Sequence, residues 1–285
     1  MQNFDSVRRG IHRGYSIKEN AGLRIVTADN LNAVSSVAHG FSTRVGGVSR
    51  GPFASLNMSL TRDDSKLNVY RNYHIFCEAF GEICGFGHDS LVLVNHEHGA
   101  NVVRVDRSFR GRGLTREPLP FCDGMVTNDS AVTLVTLHAD CSCIYLYDPE
   151  HNAIGLAHAG WKGTFKRVGQ RMAEKLTAEY GSRPEKLIGA IGPCICFDCF
   201  EVDSSIGEDF AREFDFDGIV KPGKPGKAYV DLEAALAIQL LDAGLLPEQI
   251  SAMGLCTYER DDLFFSYRRD RTETGAMIGF MKLNS

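Results

Sequence analysis

Between residues 131 and 160 three short apolar runs follow one another, in "AVTLVTLH", "CSCIYLYD" and "NAIGLAHAG". Each is too short for an ordinary helix and too uniformly apolar for a strand with one wet face, so they read as strands buried on both sides. Along the whole chain strands and helices mix without a strict βαβ rhythm, which points to a mixed α/β or α+β fold with a large sheet core. Val168, Met172 and Leu176 recur at helical spacing up to Gly181, and "VDLEAALAIQLLDAG" reads as a helix with Asp231 as its N-cap and Gly244 as its stop. Lys66 to Phe80 reads as a third helix, stopped by Gly81. "SVAHGFSTR", "SLVLVNHEH", "ANVVRVD", "EKLIGAIGP", "ISAMGLCTY" and "AMIGFMKL" read as further strands, and "SRGPFASLN" and "KPGKPGK" as surface loops. The expected architecture is one α+β domain with a large mixed sheet core covered by helices.

Bulk properties narrow the function classes. The formal charge of -5 argues against a partner such as a nucleic acid polymer or an anionic membrane, which would call for a basic face. No apolar stretch approaches the roughly 20 residues that span a bilayer, and the first twenty residues carry no apolar signal region. A cytoplasmic location is expected, with the nine cysteines as reduced thiols. Cys77, Cys84 and Cys256 sit among apolar neighbours and read as packing residues.

Three segments put metal-competent side chains where an apolar run meets a glycine or a turn: His98 in "NHEHG", Cys141 in "HADCSC" and His158 in "AHAGW". Two imidazoles and a thiolate make a three-donor set that leaves one tetrahedral position open, as in catalytic zinc sites. The same residues could instead form a cysteine nucleophile supported by histidine. Spacing alone leaves both open.

In order along the chain, "TRVGGVS" with "SLN", "HEHG", "DGMVTND", "ADC", "AHAGWKG", "IGPCI", "FEV" and "FFSYRRD" resemble the motifs of the YfiH-like family, also called laccase-domain or multicopper polyphenol oxidase proteins. The resemblance runs over residues 23 to 283. It divides the chain into an N-terminal extension, 1–22, and a YfiH-like catalytic domain, 23–285. It implies an α/β/β/α-like fold related to the catalytic domain of a bacterial cytotoxic deamidase. It further implies a metal site at His98, Cys141 and His158, zinc being expected and copper possible, with Gly160 and Trp161 shaping the pocket mouth. Finally, it implies purine nucleoside phosphorylase activity on adenosine, inosine, guanosine and methylthioadenosine, and adenosine deamination, so the expected partners are a purine nucleoside and phosphate. The chain departs from the family pattern at His96, Cys143 and Ala276, where glutamine, proline and arginine are usual.

Further residues carry weaker signals. Arg44, beside the Gly46-Gly47 loop, is a candidate for phosphate, and Asn57 and Asp123 match substrate-side positions of the family, with turn-capping as the alternative for both. Arg268 and Arg269 read as partners of Asp270, with charge contributed at the pocket as the alternative. Cys194, Cys196 and Cys199 read as a thiol-rich loop, because no partner cysteine pair with the usual spacing is visible. Nine histidines with a single His-x-His are too few for a trinuclear copper cluster beside a blue-copper site, which argues against true laccase chemistry. A metal-free cysteine hydrolase or deamidase, including a peptidoglycan-editing role, is the alternative enzyme class.

Overall fold

The computed structural model describes residues 11–84 and 86–284. In chain order its strands are β1 (His12–Arg13), β2 (Tyr15–Asn20), β3 (Leu23–Ala28), β4 (Val37–Ser42), β5 (Leu91–Leu93), β6 (Val102–Arg104), β7 (Gly124–Thr127) and β8 (Thr133–His138). They continue with β9 (Ser142–Asp148), β10 (Ala153–Ala159), β11 (Ile188–Ile191), β12 (Glu201–Asp203), β13 (Val220–Pro222), β14 (Lys227–Val230), β15 (Ile250–Ala252) and β16 (Met277–Leu283). The helices are α1 (Asp29–Asn32), α2 (Lys66–Cys84), α3 (Trp161–Phe165), α4 (Val168–Tyr180), α5 (Ser204–Phe214), α6 (Leu232–Asp242) and α7 (Tyr267–Asp270).

Two mixed sheets lie face to face. One runs β1-β15-β11-β9-β10-β7-β6 and the other β2-β3-β4-β16-β8-β5, while β12-β14-β13 form a small third sheet. The three apolar runs of residues 131–160 split between the large sheets: β8 belongs to one, β9 and β10 to the other. Side-chain alternation builds the layers. In β9, Cys143, Tyr145 and Tyr147 enter the core between the sheets, where they join Phe41, Leu134, Met277 and Met281. Ile144 and Leu146 point the other way, under α4 and α6, against Met172, Leu176, Leu236 and Leu240. α2 covers the outer face of the second sheet through Val69, Tyr73, Phe76 and Phe80. The order helix, sheet, sheet, helix is the expected α/β/β/α-like arrangement. Each fully buried aliphatic side chain in these layers contributes about 1.5–3 kcal/mol by leaving water. The Tyr145 hydroxyl donates to the Gly40 carbonyl at 2.9 Å, a polar tie across the inter-sheet core.

Local signals hold in part. Asp231 caps α6, its carboxylate accepting from the Ala234 N–H at 3.0 Å, and α4 ends at a left-handed Gly181. Gly81 does not stop α2, which continues to Cys84. A Cβ at Gly81 would stand 2.3 Å from the Phe86 carbonyl, so the glycine serves close packing and not termination. "KPGKPGK" supplies the turn of the β13–β14 hairpin and part of both its strands. The "SLVLVNHEH" strand ends at Leu93 and the "ISAMGLCTY" strand at Ala252. Residues 12–22, expected as an extension, join both large sheets: His12 pairs with Ser251, and Tyr15 with Ala28. Residues 1–10 and the side chain of Cys84 lie outside the described residues, whereas Cys77, on the buried face of α2, packs in the core as expected.

Candidate metal centre and cleft

The alternation that builds the core also aims the site. Ile154 and Leu156 of β10 face the gap between the sheets, and His158 is next in that series. At this end of the strands the gap opens into a cleft of about 880 Å³, so His158 meets the cleft floor while only 2 % exposed. Between β8 and β9 the chain crosses from one sheet to the other within Ala139-Asp140-Cys141, with Asp140 in the left-handed region at φ 87°. That sharp crossing delivers Cys141 beside His158. His98 comes from the loop after β5, not from a strand end, and is itself left-handed at φ 57°. One donor atom from each of His98, Cys141 and His158 lies within 4.8 Å of the other two. A Cβ on Gly160 would stand 3.1 Å from Cys141 Sγ, 3.2 Å from His98 and 3.3 Å from His158. The glycine thus keeps open the small space the three donors share.

Asp123 organises this set from behind. It is fully buried. Its carboxylate accepts from His158 Nδ1 at 2.9 Å and from the N–H groups of His98 at 3.1 Å and Gly99 at 2.6 Å. With Nδ1 engaged, only Nε2 of His158 faces the cleft, and the loop bearing His98 is folded onto the same carboxylate. Hydrogen-bonded carboxylates behind a histidine ligand fix its tautomer and direction in this way. Asp123, expected on the substrate side, lies behind the three donors and holds His158 and the His98 loop by these hydrogen bonds.

Electrostatics couple Cys141 to His158. Burial disfavours both charges, yet each stabilises the other. The Cys141 thiol falls to about 7 because His158 and His98 face it, and His158 rises to about 9 through Cys141 and Asp123. His138 and His96 stay neutral, pushed well below the ordinary range by burial and then by the neighbouring imidazoles. His138 donates from Nδ1 to the Cys141 carbonyl at 3.1 Å, which leaves Nε2 to accept from the Thr136 hydroxyl at 2.7 Å.

Arg44 and Asn57, the other expected site residues, lie away from the three donors, and the departures His96 and Cys143 are not among those donors. His96 stacks on His158 with ring centroids 4.1 Å apart, and its Nε2 accepts the Leu137 N–H, so it stands beside the donor set and not within it. Cys143 is buried between the sheets and its thiol is pushed up to about 12 by burial. Arg44 does not line the cleft. Its guanidinium donates to the carbonyls of Ala54 and Asp261 and covers the Phe265 ring, pinning loops together. Asn57 likewise ties the Ser59 and Ala276 N–H groups to Asp64. Arg269 pairs with Asp270 as expected, but Arg268 donates to the Cys199 carbonyl and lines the cleft.

Residues the sequence reasoning missed form the cleft walls. Arg62, half-buried, and Arg271, exposed, bring cationic groups, and neither makes an ion pair among the described residues. Ile195, Phe200 and Val202 bring apolar surface, joined by Trp161, which was expected at the pocket mouth, and Ala276, an expected departure from the family pattern, also lines the cleft. Among the described residues, no helix is long and apolar enough to cross a membrane.

The family model described as multi-copper polyphenol oxidoreductase laccase matches residues 38–284. The chain belongs to this family. Within it, the purine nucleoside phosphorylase YlmD of Bacillus subtilis (strain 168) is 37% identical over 249 residues, 86% of this chain and 88% of its own length. A protein named purine nucleoside phosphorylase from Deinococcus radiodurans is 38% identical over 258 residues, covering 90% of this chain and 91% of its own. The crystal structure of YlmD from Geobacillus stearothermophilus is similar with a TM-score of 0.87 and 31% identity, over 95% of this chain and all of that one (100%). Among the described residues, only one group of three or more candidate donors contains two histidines, and it is His98, Cys141 and His158.

Proposed function

We propose that this family member is a purine nucleoside phosphorylase that also deaminates adenosine, with zinc at His98, Cys141 and His158. The observation that carries the reading is the opening of a three-donor cradle onto a cleft that offers both apolar faces and unpaired arginines. Two imidazoles and one thiolate suit zinc and leave a position free, and a side chain at Gly160 would crowd the space the three donors share. When bound there, zinc supplies Lewis acidity next to the substrate. The names borne by the relatives support the same substrate class.

The chain's own residues do the rest of the reaction. Trp161, Ile195 and Phe200 offer the purine a flat apolar contact. Arg62, near enough to feel the Cys141 charge and set against the Tyr267 ring, holds phosphate in place of the Arg44 first expected there. Phosphorolysis breaks the ribose C1′–N9 bond and forms a C1′–O bond to phosphate. The purine leaves with the bonding electrons, and cationic side chains around the cleft stabilise that charge. Deamination takes water as its nucleophile and releases ammonia, so it needs no phosphate. The reading places the protein in the cytoplasm, where thiols stay reduced.

A second reading rests on one observation. Without metal, Cys141, His158 and Asp123 form a thiolate–imidazolium pair oriented by a carboxylate, the arrangement of a cysteine hydrolase or deamidase.

Product chromatography with and without phosphate tests the proposal. Adenosine should give adenine and ribose 1-phosphate only with phosphate, and inosine with or without it. Arg62→Ala should lose roughly ten- to a hundredfold in phosphorolysis, by about 1.5–3 kcal/mol, and far less in deamination, while Arg44→Ala keeps both. No turnover of any nucleoside by metal-loaded protein would leave the cysteine-hydrolase reading.

A further inference from the structure

A second group of donors lies on the far side of the cleft wall. Cys196, Cys199, Cys256 and Glu259 each offer one atom, and all four atoms lie within 4.8 Å of one another. Cys194, grouped with this loop by sequence, is not among them. Cys256, read as a packing residue, is buried at 6% exposure but turns its sulfur into the group. The spacing repeats: Cys-Phe-Asp-Cys supplies one pair and Cys-Thr-Tyr-Glu the other.

The backbone builds the group. Cys194 and Cys256 form a parallel bridge that sets the two segments side by side, with Cys194 N–H donating to the Leu255 carbonyl and Thr257 N–H to that of Cys194, both at 3.1 Å. Each segment then turns tightly. Cys199 N–H donates to the Cys196 carbonyl at 3.0 Å, and Arg260 N–H to that of Cys256 at 3.1 Å. Cys256 Sγ receives the Cys196 N–H at 3.3 Å and is also approached by the N–H groups of Tyr258 and Glu259. Converging N–H donors suit a thiolate better than a neutral thiol. Three sulfurs and a carboxylate oxygen meet the needs of tetrahedral zinc, whose sulfur ligands stand about 3.8 Å apart at a Zn–S distance of ~2.3 Å.

We infer that Cys196, Cys199, Cys256 and Glu259 form a second, closed zinc site whose role is structural. All four positions are filled by protein, so the ion has no place for substrate. It staples residues 196–199 to residues 256–259, and Ile195, next to the first segment, and Thr257 of the second hold the residue before Cys141. Ile195 N–H donates to the Asp140 carbonyl at 3.0 Å, and the Thr257 hydroxyl donates to the Asp140 carboxylate at 2.7 Å. Arg268, bound to the Cys199 carbonyl, gives its own N–H to the same carboxylate at 2.6 Å. The staple therefore fixes the cleft wall of Ile195 and Phe200 and the crossing that delivers Cys141.

The test removes the first site and asks whether a metal remains. A His98→Ala, Cys141→Ser, His158→Ala protein, purified under reducing conditions, should hold one zinc per chain by plasma mass spectrometry. Adding Cys199→Ser and Cys256→Ser should remove it. If that last variant fails to fold, cobalt(II) added to the chelator-stripped first-site variant gives the same answer. It should develop the visible bands of a tetrahedral ion and sulfur-to-cobalt charge transfer, and Glu259→Cys should raise the charge transfer by about one third as a fourth thiolate joins. The inference is overturned if the folded first-site variant takes up neither zinc nor cobalt. It is equally overturned if alkylation at lysis shows two of these cysteines already joined as a disulfide. Because the first site is absent throughout, failure here leaves the nucleoside reading untouched.

Discussion

The two sulfur-bearing donor groups are built in opposite ways. His98, Cys141 and His158 meet where two sheets part, and their directions come from strand alternation, a one-step crossing between sheets and a carboxylate behind them. Cys196, Cys199, Cys256 and Glu259 sit on two tight turns laid side by side, and their directions come mainly from backbone hydrogen bonds. The first group has three donors around a space kept clear by Gly160; the second has four. An open set can meet a substrate and a closed set cannot. The open set also carries left-handed backbone at His98 and Asp140, as expected where neighbouring structure holds a functional side chain off its relaxed path.

His158→Ala should have the largest effect and tests the separation of the two groups. Loss of a donor and of the partner of Cys141 should lower nucleoside turnover on the order of a thousandfold or more, with the first zinc lost and the second retained. Loss of both ions would show that the groups are not independent. Asp123→Asn asks whether orientation matters as argued. An amide cannot hold the His158 ring and the two loop N–H groups as a carboxylate does, so metal affinity at the first site should fall about ten- to a hundredfold. Equal affinity in equilibrium competition with a chelator would demote Asp123 to a fold residue.

The pH dependence of Cys141 sharpens the contrast with an ordinary buried thiol. In chelator-stripped protein its thiolate should form as pH rises through about 7, against 9.0 for an unperturbed thiol. Iodoacetamide should therefore label Cys141 with a half-rise near that pH, slowing as pH falls below it. His158→Ala should move the half-rise upward by removing the facing charge. Cys143, pushed up to about 12, should not label at neutral pH. A His158-independent profile would mean that the pair is not coupled.

How much of this was legible follows from the range of the interactions. The buried strands of residues 131–160 and the helices of Val168–Tyr180 and Leu232–Asp242 announce themselves locally, by apolar pattern and by the cap at Asp231. His98, Cys141 and His158 could be picked out because each lies where an apolar run meets a glycine or a turn, and the resemblance to the family's motifs joined them into one set. Arg44 could not be placed, because its use depends on the carbonyls of Ala54 and Asp261, which only tertiary folding brings to it. Residues 12–22 gave no apolar signal, since β2 is a largely exposed edge strand held by pairing to β3. The donor quartet was hidden by distance, as its halves lie 60 residues apart, although the repeated two-residue gap in C-x-x-C and C-x-x-E was a usable clue.

The smallest effect is expected at Cys143, two residues from Cys141 and matched in sequence only by chemistry. Its sulfur fills the gap between the sheets, 3.5 Å from the Thr136 hydroxyl, and faces Gly279 of β16. Cys143→Ala removes one buried atom and should cost about 1 kcal/mol, which for a chain of this size lowers Tm by roughly 2–4 °C. Turnover should stay within about twofold, because the thiol belongs to neither donor group. Gly279→Ala alone should be worse, since its Cβ would stand 2.4 Å from the Cys143 sulfur, 3.0 Å from Thr136 Oγ1 and 3.3 Å from His138 Nε2. The double variant should recover part of that loss, because removing the sulfur relieves the closest of the three contacts. Strict additivity of the two changes in thermal unfolding would show that Cys143 and Gly279 do not share that space. Loss of activity in the single Cys143→Ala variant, with Tm unchanged, would place Cys143 in the site after all and erase the difference between the two cysteines.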